Sequence, residues 1–237
     1  MKELFFETID STNSYLKDHY RDLDDMTFVS ADYQSEGKGR GSRKWLSDKG
    51  ANLMFSFLVK DEEVMKRYPE LSLLCAFSVL EVLNSFGISD LMIKWPNDVY
   101  VKDAKICGIL LEGISHEKPD CIVCGIGINV NQTDFEEEFA TEAVSMRMLL
   151  KENVEIGELR KKVYRKINEN IEQLKRGYDF HKQIDAYDYL RGKTAYALIG
   201  NERKQVDILG IDHDCSLKVR DGDSIMNLNS SEITFHL

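Results

Sequence analysis

The sequence has no long apolar run. Its first ten residues contain one short apolar stretch, Leu4-Phe5-Phe6, which is too short for the apolar core of a signal peptide. No segment approaches the roughly 20 apolar residues that a membrane-spanning helix requires. These absences predict a cytoplasmic protein with no membrane partner.

Positive charge is in deficit as well. Lys and Arg total 31 against 41 Asp and Glu, which gives a net charge of -10. A field of that sign repels nucleic acid, so binding to a polyanion would require a local basic patch. With 237 residues, of which 43% are hydrophobic, the chain can form one large domain, or one domain plus a small one.

The cysteine pattern lacks what a metal or redox site needs. One Cys-x-x-Cys pair, Cys121 and Cys124, lies in the apolar run 121–128, but there is no second such pair and no His pair at ligand spacing. The apolar run is typical of a buried strand, in which residues i and i+3 point to opposite faces. The two thiols are therefore predicted to be structural.

Glycine and cations are concentrated in one segment, Gly37-Lys38-Gly39-Arg40-Gly41-Ser42-Arg43-Lys44-Trp45. Glycines let main-chain N–H groups approach a ligand, and the cations match phosphate or carboxylate oxygens. By itself the segment is open to three interpretations: a basic loop for nucleic acid, a solvated turn, or an anion-binding cradle. It is not a Walker A loop, because the terminal Lys-Ser/Thr pair is missing.

Three more segments combine polar groups with strand patterns. Residues 94–98, Lys-Trp-Pro-Asn-Asp, end a strand with an amide and a carboxylate. Lys105 enters the apolar strand 105–112, where it should meet a protein carboxylate or a ligand anion. In 125–131 glycines alternate with apolar residues before two amides, a pattern that favours close approach of a ligand or of another backbone.

The elements predicted from periodicity are mixed along the chain. Ser11 should cap a first helix, and strands 28–33 and 52–59 should flank the glycine-rich loop. Two long helices are predicted, one opened by Pro69 and ended by Gly87, the other from 156 to 176 and stopped by Gly177. The remaining predicted strands are 91–95, 99–101, 105–111, 121–130, 194–199, 205–211, 216–220 and 224–228, with Gly200-Asn201 as one of the turns.

The motifs together resemble those of biotin protein ligases, also called biotin–[acetyl-CoA-carboxylase] ligases. The matching motifs, in order, are Ser11-Thr12-Asn13, Gln34 with Gly37-Lys38-Gly39-Arg40-Gly41 and Trp45, Lys94-Trp95-Pro96-Asn97-Asp98, Lys105 with Gly108-Ile109-Leu110, and Gly125-Ile126-Gly127-Ile128-Asn129. The resemblance implies an α+β fold: a class II synthetase-like mixed β-sheet with flanking helices in a catalytic domain, 1–187, and a small SH3-like β barrel, 188–237.

The resemblance also implies a two-step reaction that uses biotin, ATP and Mg²⁺. The biotin carboxylate attacks the α-phosphorus of ATP to give biotinyl-5′-AMP and pyrophosphate. A lysine of a biotin carboxyl carrier protein domain, of acetyl-CoA carboxylase or another biotin-dependent carboxylase, then attacks the acyl carbon. A homodimer is one of the assemblies found in the family.

The site residues are carried over from the same motifs. Arg40 and Lys105 are predicted to be catalytic, and no protein metal ligand is assigned. The biotin-binding set is Ser11, Thr12, Asn13, Gln34, Lys38, Gly39, Arg40, Lys105, Gly108 and Gly127. The ATP-binding set is Arg40, Trp45, Asn97, Lys105 and Asn129.

Simpler interpretations stand beside some of these roles. Ser11 can act only as a helix cap, and Trp45 and Trp95 can be core aromatics. Asp98 is expected to be structural, with a role for its carboxylate in accepting the carrier lysine's proton as the second hypothesis. Lys38 stands where the family usually has Arg, and we expect this position to act mainly through its backbone, because glycines flank it.

Two rival functions share some of these features. A lipoate or octanoate ligase has the same fold and acyl-adenylate chemistry, but its usual Arg-Arg-x-Ser-Gly-Gly-Gly-type loop is missing here. A non-catalytic RNA- or nucleotide-binding module could use the basic residues of 37–44, but that function leaves Lys105 and Gly127 unexplained. The first ligase motif begins at residue 11, which predicts a monofunctional ligase without an N-terminal DNA-binding domain and without DNA as a partner.

Overall fold

Residues 53–59 form an interior strand of a seven-stranded mixed sheet. The computed structural model describes residues 2–41, 43–115, 119–136, 142–199, 202–229 and 233–234. All seven residues of β3 (Leu53–Val59) are buried, as expected of a strand covered on both faces. The other strands are β1 (Glu3–Phe6), β2 (Phe28–Ala31), β4 (Leu91–Lys94), β5 (Asp98–Val101), β6 (Ala104–Ser115) and β7 (Pro119–Ile128). Their order is β1-β2-β3-β7-β6-β5-β4, with β1 and β2 parallel and the other neighbours antiparallel.

Helices cover both faces of this sheet. On one face, α3 (Tyr68–Ser85) is buried along most of its length, because it packs on the sheet and on the amphipathic helix α5 (Ile156–Lys175), whose Tyr164 in turn packs on Phe28 and Phe55. On the other face lies α1 (Thr12–His19), whose Leu16 packs with Val29, Leu58 and Val123 in a smaller core. Shorter helices are a 3-10 turn (Tyr20–Asp22), α2 (Glu62–Met65), α4 (Met146–Leu150) and α6 (His181–Asp185).

A second sheet is formed after α6. Its strands are β8 (Thr194–Ile199), β9 (Glu202–Ile211), β10 (Leu217–Asp221), β11 (Ser224–Leu228) and β12 (Ile233–Thr234). All neighbours are antiparallel, in the order β11-β10-β9-β8-β12. Within the described ranges no pairing joins β11 to β12, so these ranges show an antiparallel sheet and no closed barrel. The fold is thus α+β, as predicted.

The strong sequence patterns gave the right elements with small boundary errors. Gly87 and Gly177 follow α3 and α5 with φ of 87° and 82°, the left-handed conformation expected of a helix-stopping glycine. The predicted strand 28–33 ends at Ala31. The predicted turn Gly200-Asn201 lies outside the described residues. Strands β1 and β12 and helices α2, α4 and α6 were not predicted.

The predicted position of the Cys-x-x-Cys pair in a buried strand, with the two side chains on opposite faces, is confirmed. Cys121 packs in the small core under α1, whereas Cys124 packs in the main core on the opposite face of β7. All five cysteines are free, and within the described ranges no His, Cys, Asp and Glu side chains form a metal-binding group of three or more. No helix in the same ranges is long and apolar enough to cross a membrane.

Candidate functional site

The candidate site lies on the face of the large sheet that carries α1, and glycines form its floor. The register of β6 and β7 pairs Gly108 with Gly127 and Leu110 with Gly125. A Cβ at Gly127 would overlap the Trp45 indole, and a Cβ at Gly108 would lie 3.1 Å from the same ring. These positions therefore need glycine because another side chain packs directly on the backbone. The Trp45 Nε1 is buried, and in the described part of the chain it has no hydrogen-bond partner.

The glycine-rich segment is a small hairpin with exposed cations. The Trp45 N–H donates to the Gly37 carbonyl at 3.0 Å, and the Gly39 N–H donates to the Arg43 carbonyl at 2.9 Å. Gly41 turns the chain with φ 66°. Ser42 lies outside the described residues. The hairpin holds the Trp45 ring against the floor, while the side chains of Lys38, Arg40, Arg43 and Lys44 are exposed.

Arg40 reaches from this hairpin to the end of β4. Its Nη1 donates to Asn97 Oδ1 at 3.1 Å. Asn97 is fixed in turn by β6, because its Nδ2 donates to the Ile109 carbonyl at 2.7 Å and its own carbonyl accepts from the Ile109 N–H at 2.9 Å. Predicted residues from two distant motifs therefore meet here.

Lys105 meets a protein carboxylate, one of the two partners expected for it. Its Nζ lies 2.7 Å from Asp98 Oδ1, and the two side chains are 31% and 19% exposed. A partly exposed ion pair contributes only about 0–1 kcal/mol to stability, so the main effect of this pair is to hold the ammonium group in place. The Nζ lies 5.8 Å from the centre of the Trp45 ring. Asp98 is accordingly a positioning partner of Lys105.

The N-terminus of α1 forms the other end of the site. Ser11 is buried and its Oγ accepts a hydrogen bond from the Ser14 N–H at 3.4 Å, which confirms its capping role. Gln34 Oε1 accepts from the Thr12 N–H at 2.7 Å and lies 3.0 Å from Thr12 Oγ1. Asn13 lies directly over Gly125, where any Cβ would overlap its amide.

Two residues of this end were missed by the sequence analysis: Ser56 and Glu112. Ser56 Oγ contacts both Thr12 Oγ1, at 2.6 Å, and Asn13 Oδ1, at 2.5 Å. Glu112 accepts from Asn13 Nδ2 at 2.7 Å and from Lys17 Nζ at 2.6 Å. The available signal was a polar residue in a largely apolar strand, Ser56 in β3 and Glu112 in β6, but only Lys105 of β6 was singled out in this way.

The remaining predicted residues have contacts with protein groups. Asn129 is buried, and its Nδ2 donates to the carbonyls of Lys105 and Val144 at 3.4 and 3.2 Å. Trp95 is a core aromatic whose Nε1 donates to the Cys215 carbonyl at 2.8 Å. The Lys38 Nζ donates to Ser14 Oγ at 2.8 Å, so this side chain ties the hairpin to α1.

The arrangement suits an elongated ligand with a polar ring at one end and an anion at the other. Asn13 lies over Gly125 and Trp45 over Gly127, two residues and therefore about 7 Å further along β7. Buried hydroxyl and amide groups line the first position, whereas the cations of Arg40 and Lys105 lie beyond the second. Both positions are glycines, so the sheet surface beneath Asn13 and Trp45 carries no side chains of its own.

The chain is similar to known ligases in sequence. The model of the biotin/lipoate A/B protein ligase family matches residues 5–129. The bifunctional ligase/repressor BirA of Escherichia coli (strain K12) is 39% identical over 136 residues, which cover 56% of this chain and 42% of that protein. The biotin–protein ligase of Homo sapiens is 34% identical over 113 residues, 45% of this chain and 15% of that one. The matched segments thus span less than half the length of these relatives.

The fold is similar over a much larger share of the chain. The structure of biotin protein ligase from Aquifex aeolicus in complex with biotin and ATP superposes with a TM-score of 0.88 at 29% sequence identity, covering 98% of this chain and 97% of that one. The family match spans more than half of the residues and includes every motif from Ser11 to Asn129. The chain therefore belongs to the biotin/lipoate A/B protein ligase family.

Proposed function

We propose that this protein is a biotin–protein ligase that activates biotin with ATP and transfers it to a lysine of a biotin carboxyl carrier protein domain. The observation that carries the proposal is the site itself. Arg40 and Lys105 each bond to one of two adjacent residues, Asn97 and Asp98, beside the glycine floor. The agreement in fold with a ligase crystallised with biotin and ATP supports the same function.

In the first step a biotin carboxylate oxygen bonds to the α-phosphorus of ATP, and the bond from that phosphorus to the β-bridging oxygen breaks. Carboxylate and triphosphate repel one another, so the site must supply positive charge where they meet. Arg40 and Lys105 supply it from two sides. Trp45 covers the floor between the polar end and these cations, which keeps water from the mixed anhydride.

In the second step the carrier lysine's amine bonds to the acyl carbon, the bond to the AMP oxygen breaks, and the amine loses a proton. Lys105 stabilises the charge on the departing phosphate. Asp98 Oδ1 is engaged with Lys105 Nζ at 2.7 Å, which supports a positioning role. Proton acceptance by its carboxylate is the second hypothesis.

Mg²⁺ would enter this site with the triphosphate. The carboxylate of Asp98 is neutralised by Lys105, and the Asn97 Oδ1 accepts from Arg40. Asn97 and Asp98 therefore offer no free pair of oxygen ligands for Mg²⁺. This agrees with an ion that is held mainly by water and by substrate phosphates.

The proposal extends to the division of the chain into two domains. We propose a class II synthetase-like catalytic domain, 1–187, and an SH3-like barrel, 188–237. The five short antiparallel strands after α6 and their buried Val206, Ile208, Leu217 and Val219 support the second unit. The cytoplasmic location, the homodimer and the monofunctional character stay predictions. A shift of biotin-operon promoter DNA at physiological salt would contradict the last.

The test is ATP–pyrophosphate exchange, measured with biotin and with lipoate as the acid. We expect exchange with biotin and none with lipoate. Arg40→Ala and Lys105→Ala should each lower biotin-driven exchange at least tenfold. Matched control variants are Arg165→Ala and Lys66→Ala, which remove exposed cations of α5 and of the turn after α2.

The outcomes separate the candidate functions. Exchange driven by lipoate alone would make the protein a lipoate ligase. No exchange with either acid would end the ligase proposal. Equal losses in the control variants and in the site variants would show that overall charge, and not the two named cations, carries the activity.

A further inference from the structure

We propose that Glu112 is a positioning residue that fixes the direction of a buried hydrogen-bond chain, so that Thr12 and Ser56 offer acceptors to the bound ligand. The inference rests on the proposed function, because the ligand at this end is then the ureido ring of biotin. It adds two residues to the site, Ser56 and Glu112. It also explains why this end of the site should prefer a ligand that donates N–H hydrogen bonds.

The chain of contacts is continuous from the hairpin side to the surface. Gln34 Oε1 contacts Thr12, Thr12 Oγ1 contacts Ser56 Oγ, Ser56 Oγ contacts Asn13 Oδ1, and Asn13 Nδ2 contacts Glu112. Thr12, Asn13 and Ser56 are each less than 5% exposed, so water does not reach these groups freely. In such surroundings an unmade hydrogen bond is costly, so every member of the chain must find a partner.

The end at Glu112 is an ionised carboxylate. Burial by itself would raise the pKa of Glu112, but hydrogen bonds from Lys17 and Asn13, together with the charges of Lys17 and Lys38, hold it below its usual value. An ionised carboxylate has acceptors and no donor. The Asn13 amide must therefore turn its Nδ2 toward Glu112, and its Oδ1 toward Ser56.

That orientation propagates along the chain. Ser56 has one proton and gives it to Asn13 Oδ1. The Ser56 oxygen then has only lone pairs for Thr12, so the Thr12 proton goes to Ser56 at 2.6 Å. Gln34 Oε1 accepts from the Thr12 N–H at 2.7 Å and from Thr12 Oγ1 at 3.0 Å, so the one hydroxyl proton of Thr12 is shared between Ser56 and Gln34. Both hydroxyl protons are thus used inside the chain, so neither oxygen has a proton left to donate to a ligand.

A ureido ring fits this pattern. It carries two N–H donors, and a donor that meets a lone pair on Thr12 or Ser56 satisfies both partners. A ligand group that presents only an acceptor leaves two acceptors facing one another, which a site of this kind rejects. Lipoate has no N–H group at the corresponding end.

The experiment compares Glu112→Gln with Lys17→Met by calorimetric titration of biotin. Gln keeps the size of the side chain but carries both a hydrogen-bond donor and an acceptor. The Asn13 amide can then point either way, and the hydroxyls can donate in either direction along the chain. We expect the Kd for biotin to rise at least tenfold, or about 1.4 kcal/mol. Lys17→Met removes the ion pair, but the hydrogen bond from Asn13 and the charge of Lys38 still favour the acceptor-only carboxylate at pH 8, so the Kd should change less than threefold.

A biotin analogue methylated on one ureido nitrogen tests the direction itself. Wild-type protein should discriminate strongly against this analogue, and Glu112→Gln should reduce the ratio of the two Kd values at least threefold, because the steric effect of the methyl group is common to both proteins. In pyrophosphate exchange, kcat at saturating biotin should stay within twofold, while KM for biotin rises. Circular dichroism melting shows that each variant is folded.

Each result has one meaning. Equal effects of Lys17→Met and Glu112→Gln would show that the ion pair supports the fold at this place, and would overturn the proposal. An unchanged Kd in folded Glu112→Gln would also overturn it while the ligase proposal stands. If wild-type protein binds no biotin, the proposed function fails first.

Discussion

The lack of a side chain at glycines 108, 125 and 127 lets side chains from distant segments pack directly on the sheet. The φ values of these three residues are not in the left-handed region, so their conformation alone does not demand glycine. The demand comes from Trp45 and Asn13, which contact the backbone of β6 and β7 directly. Glycine is thus required at these positions by where the Trp45 and Asn13 side chains lie.

Gly127→Ala tests whether the Trp45 ring requires glycine beneath it. The added methyl group would overlap the Trp45 indole and push it from the floor, at a cost of about 1–3 kcal/mol for overpacking. We expect biotin-driven pyrophosphate exchange to fall more than tenfold, with a modest decrease in melting temperature. The matched control is Gly113→Ala in β6, where a Cβ meets nothing within 4 Å. If Gly127→Ala is as active as Gly113→Ala, Trp45 does not need its observed position.

At the scale of elements, the glycine-rich hairpin is attached to the site by few contacts. Arg40 to Asn97, Lys38 to Ser14 and the Trp45 ring connect it to the sheet and to α1. Two of these three contacts are exposed hydrogen bonds, worth about 1 kcal/mol each. Opening of the hairpin without ligand is therefore inexpensive, and ligand phosphate would add contacts to its cations.

Limited trypsin digestion should detect this opening. We expect cleavage within 38–44 in the free protein and its suppression by biotin with ATP, because the ligands close the hairpin over the adenylate. Cleavage after the exposed Lys66 serves as the internal control, since α2 is not part of the site. Unchanged cleavage within 38–44 at saturating ligand, with the control site unaffected, would contradict the prediction.

Local patterns predict the elements here better than they predict the site. The fully buried run of β3 and the apolar periods of α3 and α5 are strong enough to give element and position. The four-residue β1 is not, because its structure depends on parallel pairing with β2 and on the ion pair of Glu3 with Arg160. Glu112 contacts Asn13 across 99 residues, a meeting decided by sheet register that no local pattern contains.

At the scale of the whole molecule, the segment between the two sheets adds to the edge of the large one. The Ile93 N–H donates to the Tyr187 carbonyl at 2.7 Å, and the Tyr189 N–H donates to the Ile93 carbonyl at 2.9 Å. Asp188, between them, is 5% exposed. The Leu190 N–H donates to its Oδ1, and in the described part of the chain its Oδ2 has no hydrogen-bond partner. A carboxylate is thus buried where the two sheets are joined.

This buried carboxylate should make stability depend on pH. Burial raises the pKa of Asp188 from 3.8 to about 6, against smaller opposing effects of the Leu190 N–H and Arg191. Below about pH 4 the group is protonated in the folded and the unfolded chain, and burial carries no charge penalty. Between about pH 4 and 6 the unfolded chain loses the proton first, so stability falls as pH rises, by up to about 3 kcal/mol above pH 6.

Asp188→Asn keeps the acceptor for the Leu190 N–H and removes the charge. We expect it to be more stable than wild-type protein at pH 7.5, by up to about 3 kcal/mol in urea unfolding, with the difference shrinking toward pH 4.5. Asp212→Asn is the control of opposite sign, because hydrogen bonds from Asn227 and His213 lower the pKa of Asp212 to about 2. That variant should lose stability at pH 7.5. If Asp188→Asn is no more stable than wild-type protein at pH 7.5, the carboxylate at the junction of the two sheets is solvated or paired in solution, and the junction is looser than its backbone hydrogen bonds indicate.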